Sequence, residues 1–194
     1  MLRLGTIVWL LMVGCGGGQP GPTVTGAPLT AEEALLFDDG ADFVADPEAL
    51  EGQWRRDWSR ELDQRVRRSD VIAYVTVQTV RTDTDLDRRQ TYRLFVDERR
   101  TLLGTFPADL VLRTREGERG YGTVEGSEGR LLDQDFVLFL KWELPEGATE
   151  PVPRWHLSPG ADDVKARVEY LIERRRDVQV RERGRIIVHE HRPE

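Results

Sequence analysis

The chain has 194 residues with 35 acidic against 28 basic side chains, a formal net charge of −7, and one cysteine, Cys15. The acidic balance argues against nucleic acid as the main partner, because phosphate contacts need a basic face. A lone cysteine excludes intramolecular disulfides, so stability rests on a core, and the length suits one domain of ordinary size or a domain with an appendage.

Met1 to Gly14 reads MLRLGTIVWLLMVG, with one positive charge at Arg3 and an apolar run from Leu4 to Val13 broken only by Gly5 and Thr6. A helix of that length covers ~15 Å, about half the ~30 Å hydrocarbon core, so it suits the apolar region of a secretory leader and not a permanent span. Leu11-Met12-Val13-Gly14-Cys15 resembles the bacterial lipobox, with Met12 where leucine is commonest. The resemblance implies that residues 1–14 are removed as a signal peptide and that Cys15 is the lipidation site. It receives a diacylglyceryl group on its thiol and a further acyl chain on its freed amine. Each buried methylene is worth ~0.8 kcal/mol, and two or three chains hold a protein firmly at a membrane. An ordinary leader with an incidental cysteine is the alternative. Gly16, in place of the aspartate that retains enterobacterial lipoproteins at the inner membrane, points to the outer membrane.

Residues 15–28 carry no charge and little apolar surface, so they read as a flexible tether. Residues 29–69 read as helical. Thr30-Ala-Glu-Glu33 fits a capping box opening a short helix through Leu35 and Leu36, stopped by Asp38-Asp39-Gly40. Asp46-Pro47-Glu48 is a second start signal. From there Leu50, Trp54, Trp58, Leu62 and Val66 recur every four residues, predicting an amphipathic helix of about twenty residues with Glu61–Arg65 and Asp63–Arg67 in supportive spacing.

The period then changes. Val71 to Val80 is rich in β-branched residues, and Gln90 to Asp97 alternates with Tyr92, Leu94 and Val96 on one side; Arg81 to Arg89 between them reads as a long hairpin loop. Leu110 to Thr114 is a third strand and Phe136 to Trp142 a fourth, strongly apolar. Gly117 to Gly129 reads as a polar loop with a short strand at Tyr121 to Val124, and Pro145 to Pro153 as another loop. The stretches Asp70–Val77, Tyr92–Gly104 (ending Leu102-Leu103-Gly104), Leu110–Thr114 and Asp135–Lys141 follow the order of strands in the OB-like β-barrel of the netrin and metalloproteinase-inhibitor type, which they resemble. This implies an α+β class: a small OB-like antiparallel β-barrel over residues 70–158 with flanking helices. The inhibitors' N-terminal cysteine and disulfides are absent, so the likeness carries a fold and no activity. Residues 159–194 are expected to form a helix over Asp162–Arg176 with Val164, Val168, Leu171 and Ile172 on one face, then a terminal hairpin around Arg183-Gly184.

No linear motif assigns a catalytic, cofactor-binding or metal-ligating residue. His189 and His191 would share one face of a strand, but sit beside a chain end. Ser127 lies in Gly126-Ser-Glu-Gly129 without the rest of a nucleophile elbow, and Gly120-Tyr-Gly122 lacks the G-K-[ST] of a phosphate loop. The acid pairs Asp133/Asp135 and Asp162/Asp163 have loop or helix-start explanations. Trp54, Trp58, Trp142 and Trp155 could stack on sugars or a partner, with core packing favoured for Trp54 and Trp58. The surplus of Arg55, Arg56, Arg60, Arg65, Arg67 and Arg68 reads best as a solvated helix face. The expected function is therefore a lipid-anchored, non-enzymatic binding or scaffolding module of the bacterial envelope. Its partners are the membrane through the anchor and an envelope protein or peptidoglycan. The alternatives are a hydrolase with a dispersed loop active site and an inhibitor of an envelope protease.

Overall fold

A computed structural model describes residues 25–189, with side chains through residue 177. Cys15, the leader, most of the tether and His191 lie outside the described residues, and of His189 only the backbone is described. In chain order the elements are α1 (Glu33–Leu36), β1 (Gly40–Ala41), a 3-10 turn (Pro47–Ala49), α2 (Gly52–Arg68), β2 (Val71–Thr84), β3 (Gln90–Leu103), β4 (Val111–Arg115), α3 (Tyr121–Val124), α4 (Glu128–Leu131), β5 (Asp135–Glu143), β6 (Val152–Pro159) and α5 (Asp162–His189).

The class is α+β. One six-stranded sheet, in the order β1-β6-β5-β2-β3-β4, curls into a half-barrel. All neighbours are antiparallel except β1 and β6, which pair in parallel through Gly40 with His156 and Ala41 with Leu157. Alternation along the strands sorts the side chains. Val71, Ala73, Val75 and Val77 of β2, Leu94 of β3, Leu112 of β4 and Leu138 and Leu140 of β5 fill the concave face. Ile72, Val137 and Phe139 point the other way, under Trp58, Leu62 and Val66 of α2 and Val164, Val168, Leu171 and Ile172 of α5. The middle strands are covered on both faces, which is why Phe136–Leu140 is apolar without interruption.

Local chemistry sets the helix starts. The Thr30 hydroxyl accepts from the Glu33 amide at 3.2 Å while the Glu33 carboxylate accepts from the Thr30 amide at 3.0 Å, the reciprocal pair of a capping box. Asp46 accepts from the Glu48 and Ala49 amides, but this opens only the 3-10 turn. Leu50 and Glu51 are extended, and Gly52 at φ +54° restarts the chain as α2, so the expected twenty-residue helix is split in two. Both forecast ion pairs form, Arg65–Glu61 at 3.3 Å and Arg67–Asp63 at 2.7 Å.

Four expectations are corrected. The β2–β3 strands run on to Thr84 and from Gln90, leaving a short turn in place of the long loop, because Asp85 accepts from the Asp87 and Arg89 amides and folds it tightly. Tyr121–Val124 is helical, not a strand. Val152–Pro159, read in part as loop, is the strand β6. The C-terminal segment expected as a hairpin continues α5 as helix to His189.

Candidate functional site

β4 and β6 face each other across the curl of the sheet without pairing, and the gap between them is treated differently along its length. At one end β1 adds to the edge of β6, and the chain around α3 straps it down: the Gly120 amide donates to the Asp38 carbonyl at 2.8 Å, and the Ala41 amide donates to the Thr123 hydroxyl at 2.9 Å. A Cβ on Gly120 would stand 2.4 Å from the Asp38 carbonyl oxygen and the Gly40 nitrogen, so the strap requires glycine there. Farther along, among the described residues, a single hydrogen bond crosses the seam, from the Trp155 indole to the Arg113 carbonyl at 3.0 Å. Beyond it the seam opens into a groove of about 680 Å³.

The groove is basic. Arg93 of β3, Arg113 and Arg115 of β4 and Arg154 of β6 line it against the acids Asp109 and Glu118, with Trp142 and Pro153 on the β5–β6 side. Alternation explains the arginines on β3 and β4: Tyr92, Leu94, Leu112 and Thr114 take the concave face, which sends their neighbours outward. Arg93 stands directly opposite Arg113, and Arg81 of β2 stands opposite Arg93, so three arginines form one row across three strands. Like charges directly opposite destabilise a sheet. Asp83 at 2.5 Å partly neutralises Arg93, and Asp85 pairs with Arg115. Arg113 has no carboxylate within 4.0 Å among the described residues, and the Arg93 and Arg154 Nε atoms are buried without an in-line acceptor.

Arg154 is held from behind. Its guanidinium contacts Asp39 at 2.6 Å, Glu143 at 3.3 Å and Glu118 at 3.7 Å. Asp39 is itself buried, sits at φ +57°, and accepts from the Trp155 amide at 3.0 Å. Burial pushes its carboxyl up to about 7, against the pull of Arg154.

At the strapped end of the seam, where β1 meets β6, lies a polar lock. His156 is buried between two aspartates, with Nδ1 2.8 Å from Asp38 and Nε2 3.3 Å from Asp42. The Ser158 hydroxyl donates to Asp42 at 2.7 Å, and Arg65 of α2, also buried, approaches Asp42 at 3.9 Å and donates from Nε to the Leu36 carbonyl at 3.1 Å. Burial raises both carboxyls. The hydrogen bond and charge of His156, together with Arg65 and at Asp42 the Ser158 hydroxyl, outweigh it and hold both below the ordinary aspartate value. Ser158 is fully buried and bonded to a carboxylate, so the cluster ties α1, β1, α2 and β6 together and offers no nucleophile to solvent.

The other residues singled out in the sequence are dispersed. Ser127 precedes α4, its carbonyl accepting from the Arg130 and Leu131 amides. Asp135 accepts from the Thr76 hydroxyl, and Asp162 and Asp163 open α5. Trp58 and Trp155 are buried, but Trp54 is 78% exposed, because the apolar stripe of α2 meets the core only from Trp58 onward. Arg65 departs from its expected place on a solvated face. Among the described residues no group of three or more His, Cys, Asp or Glu is arranged to hold a metal, and no helix is long and apolar enough to cross a membrane. Sequence reasoning missed the groove arginines; their one local signal is a polar position flanked by apolar neighbours on β3 and β4. No protein-family model, curated protein or solved structure matches the chain.

Proposed function

We propose that this protein is a bacterial lipoprotein of the cell envelope, anchored through Cys15 at the outer membrane, whose folded domain is a non-enzymatic binding module for a carboxylate-bearing envelope partner. The observation that carries the binding role is the seam groove. It sets Arg93 against Arg113 at a cost in stability and leaves Arg113 without an acidic partner among the described residues. Arginine forks match carboxylates in bidentate geometry.

An OB-like reading of the domain accompanies this proposal. Leaving β1 aside, the order β4-β3-β2-β5-β6 is that of a five-stranded Greek-key barrel opened between its third and fifth strands, with short helices between the third and fourth. In such folds ligands commonly lie on the second and third strands, here β3 and β4. Ala27 pairs with Glu143 beside the β5–β6 loop, so the first described residues lie next to the Trp142 end of the groove.

Two measurements test the proposal. Labelled palmitate and mass spectrometry of the mature N-terminus should find an acylated Cys15; an intact Met1 or an unmodified Cys15 in the native host overturns the anchor. Crosslinking and pull-down from envelope fractions should recover an acidic partner with the native chain and not with Arg113→Glu. Equal recovery by both overturns the groove.

A further inference from the structure

We infer that the occupant of the seam groove is an extended acidic peptide segment, bound as an added strand on the open edge of β4. The inference rests on the reading of the groove as an anion site and adds the backbone geometry of what fills it.

The β4 peptide groups alternate between β3 and the seam. The Arg113 carbonyl accepts from Trp155 across the seam, so it points away from β3. Within a strand the N–H and C=O of one residue leave on the same side and alternate from residue to residue. Arg113, Val111 and Arg115 therefore present their peptide groups to the seam, while Leu112 and Thr114 bond to β3. The ends of the element agree: the Glu116 amide donates to Gln90 of β3, and the Arg115 amide and carbonyl are taken by the side chain and amide of Glu118 in the following turn. Among the described residues the Arg113 N–H and both groups of Val111, which line the groove, have no partner.

The facing edge is unlike it. On β6 the Trp155 carbonyl and amide are bonded to Asp39, so the residues with seam-directed peptide groups are Trp155 and, two before it, Pro153. Pro153 has no N–H to give, which blunts that edge. A strand entering the seam takes its register from β4. The fold already contains the same move at the other end, where β1 adds to β6. Arg93 and Arg113 form the pair whose peptide groups turn away from each other, the arrangement that brings opposed side chains closest. An added strand presents alternate residues to one face, so carboxylates spaced two apart meet the guanidiniums of Arg113, Arg93 and Arg115. Charge complementarity selects acidic side chains, and the main-chain hydrogen bonds select an extended backbone.

The test uses the mature-length chain, residues 15–194 with Cys15→Ser, and two heptapeptides of identical composition. One alternates valine and glutamate; the other groups its glutamates in a block. Expected is binding of the alternating peptide roughly tenfold or more tighter than the block. That binding should be lost when the peptide amide facing β4 is N-methylated, and slowed hydrogen exchange should appear at the Arg113 and Val111 amides in the complex. Equal affinity for the two peptides, or indifference to N-methylation, overturns strand addition while leaving an anion groove. Failure of both peptides to bind overturns strand addition and the acidic-ligand reading together.

Discussion

The indole of Trp155 donates to the carbonyl of Arg113 at 3.0 Å, among the described residues the one hydrogen bond spanning the two strands that a closed barrel would pair directly. Trp155 is fully buried, so its ring supports the concave core while its N–H fixes the width of the seam. Trp155→Phe keeps most of the ring and removes the donor. Expected is a loss of about 1 kcal/mol in denaturant unfolding, against about 3–5 kcal/mol for Trp155→Ala.

Arg113→Glu places opposite charges where Arg93 and Arg113 now repel. Expected is a gain of about 0.2–1 kcal/mol in stability together with loss of acidic-ligand binding, a separation that equilibrium unfolding and a binding isotherm on the same variant read out. A destabilised Arg113→Glu that still binds contradicts the groove's role.

Gly120→Ala drives a Cβ into backbone atoms of Asp38, Asp39 and Gly40, none of which can rotate away. A loss of about 1–3 kcal/mol is expected. Gly122→Ala, with nothing within 4 Å of the new methyl, is the matched control and should leave the melting midpoint unchanged or higher.

The capping box of α1 and the ion pairs of α2 were legible in the chain, because their signals are local. Thr30 and Glu33 are three residues apart, and the Glu61–Arg65 and Asp63–Arg67 pairs are four apart. What stayed hidden depends on partners far along the chain. β6 carries His156 and Ser158 inward, which spoils an apolar pattern, and both are satisfied by Asp42, more than a hundred residues earlier. Tyr121–Val124 has a strand's composition, yet it is helical where the strap through Gly120 and Thr123 fixes the chain to Asp38 and Ala41. The groove arginines are ordinary outward-facing residues until β3 and β4 align them.

Arg65 is buried with Glu61, Asp42 of the His156 lock and the Leu36 carbonyl as partners. Arg65→Met removes the cation and leaves Asp42 less compensated. Expected is a loss of about 3–5 kcal/mol by urea unfolding at neutral pH, whereas Arg67→Met, at an exposed position, should fall within about 1 kcal/mol of the parent.

Two opposed pH effects follow from the aspartates. Asp39 rises from 3.8 to about 7 on folding, so between those values the native state holds the extra proton, and the stability this group contributes is lost as pH climbs through that window. Asp38 and Asp42 are lowered, so their contribution is present above the ordinary aspartate value and is lost as pH falls below it. Asp39→Asn keeps the acceptor for the Trp155 amide and tolerates the left-handed backbone. It should flatten the decline between pH 5 and 7 while leaving the acid limb in place, as followed by unfolding at fixed pH values.

The pairing of Gly40 with His156 sets an order of events for a chain that emerges N-terminus first. The earliest strand is the last to find its neighbour, since its partner lies more than a hundred residues behind it, and contacts of such long range form slowly. Until β6 arrives, Asp38, Asp39 and Asp42 have neither His156 nor Arg154 beside them, and the strap over Gly120 has nothing to hold. The sheet is thus complete only when nearly the whole chain is present, and premature stops before residue 152 would yield a product in which β1 has no strand to pair with.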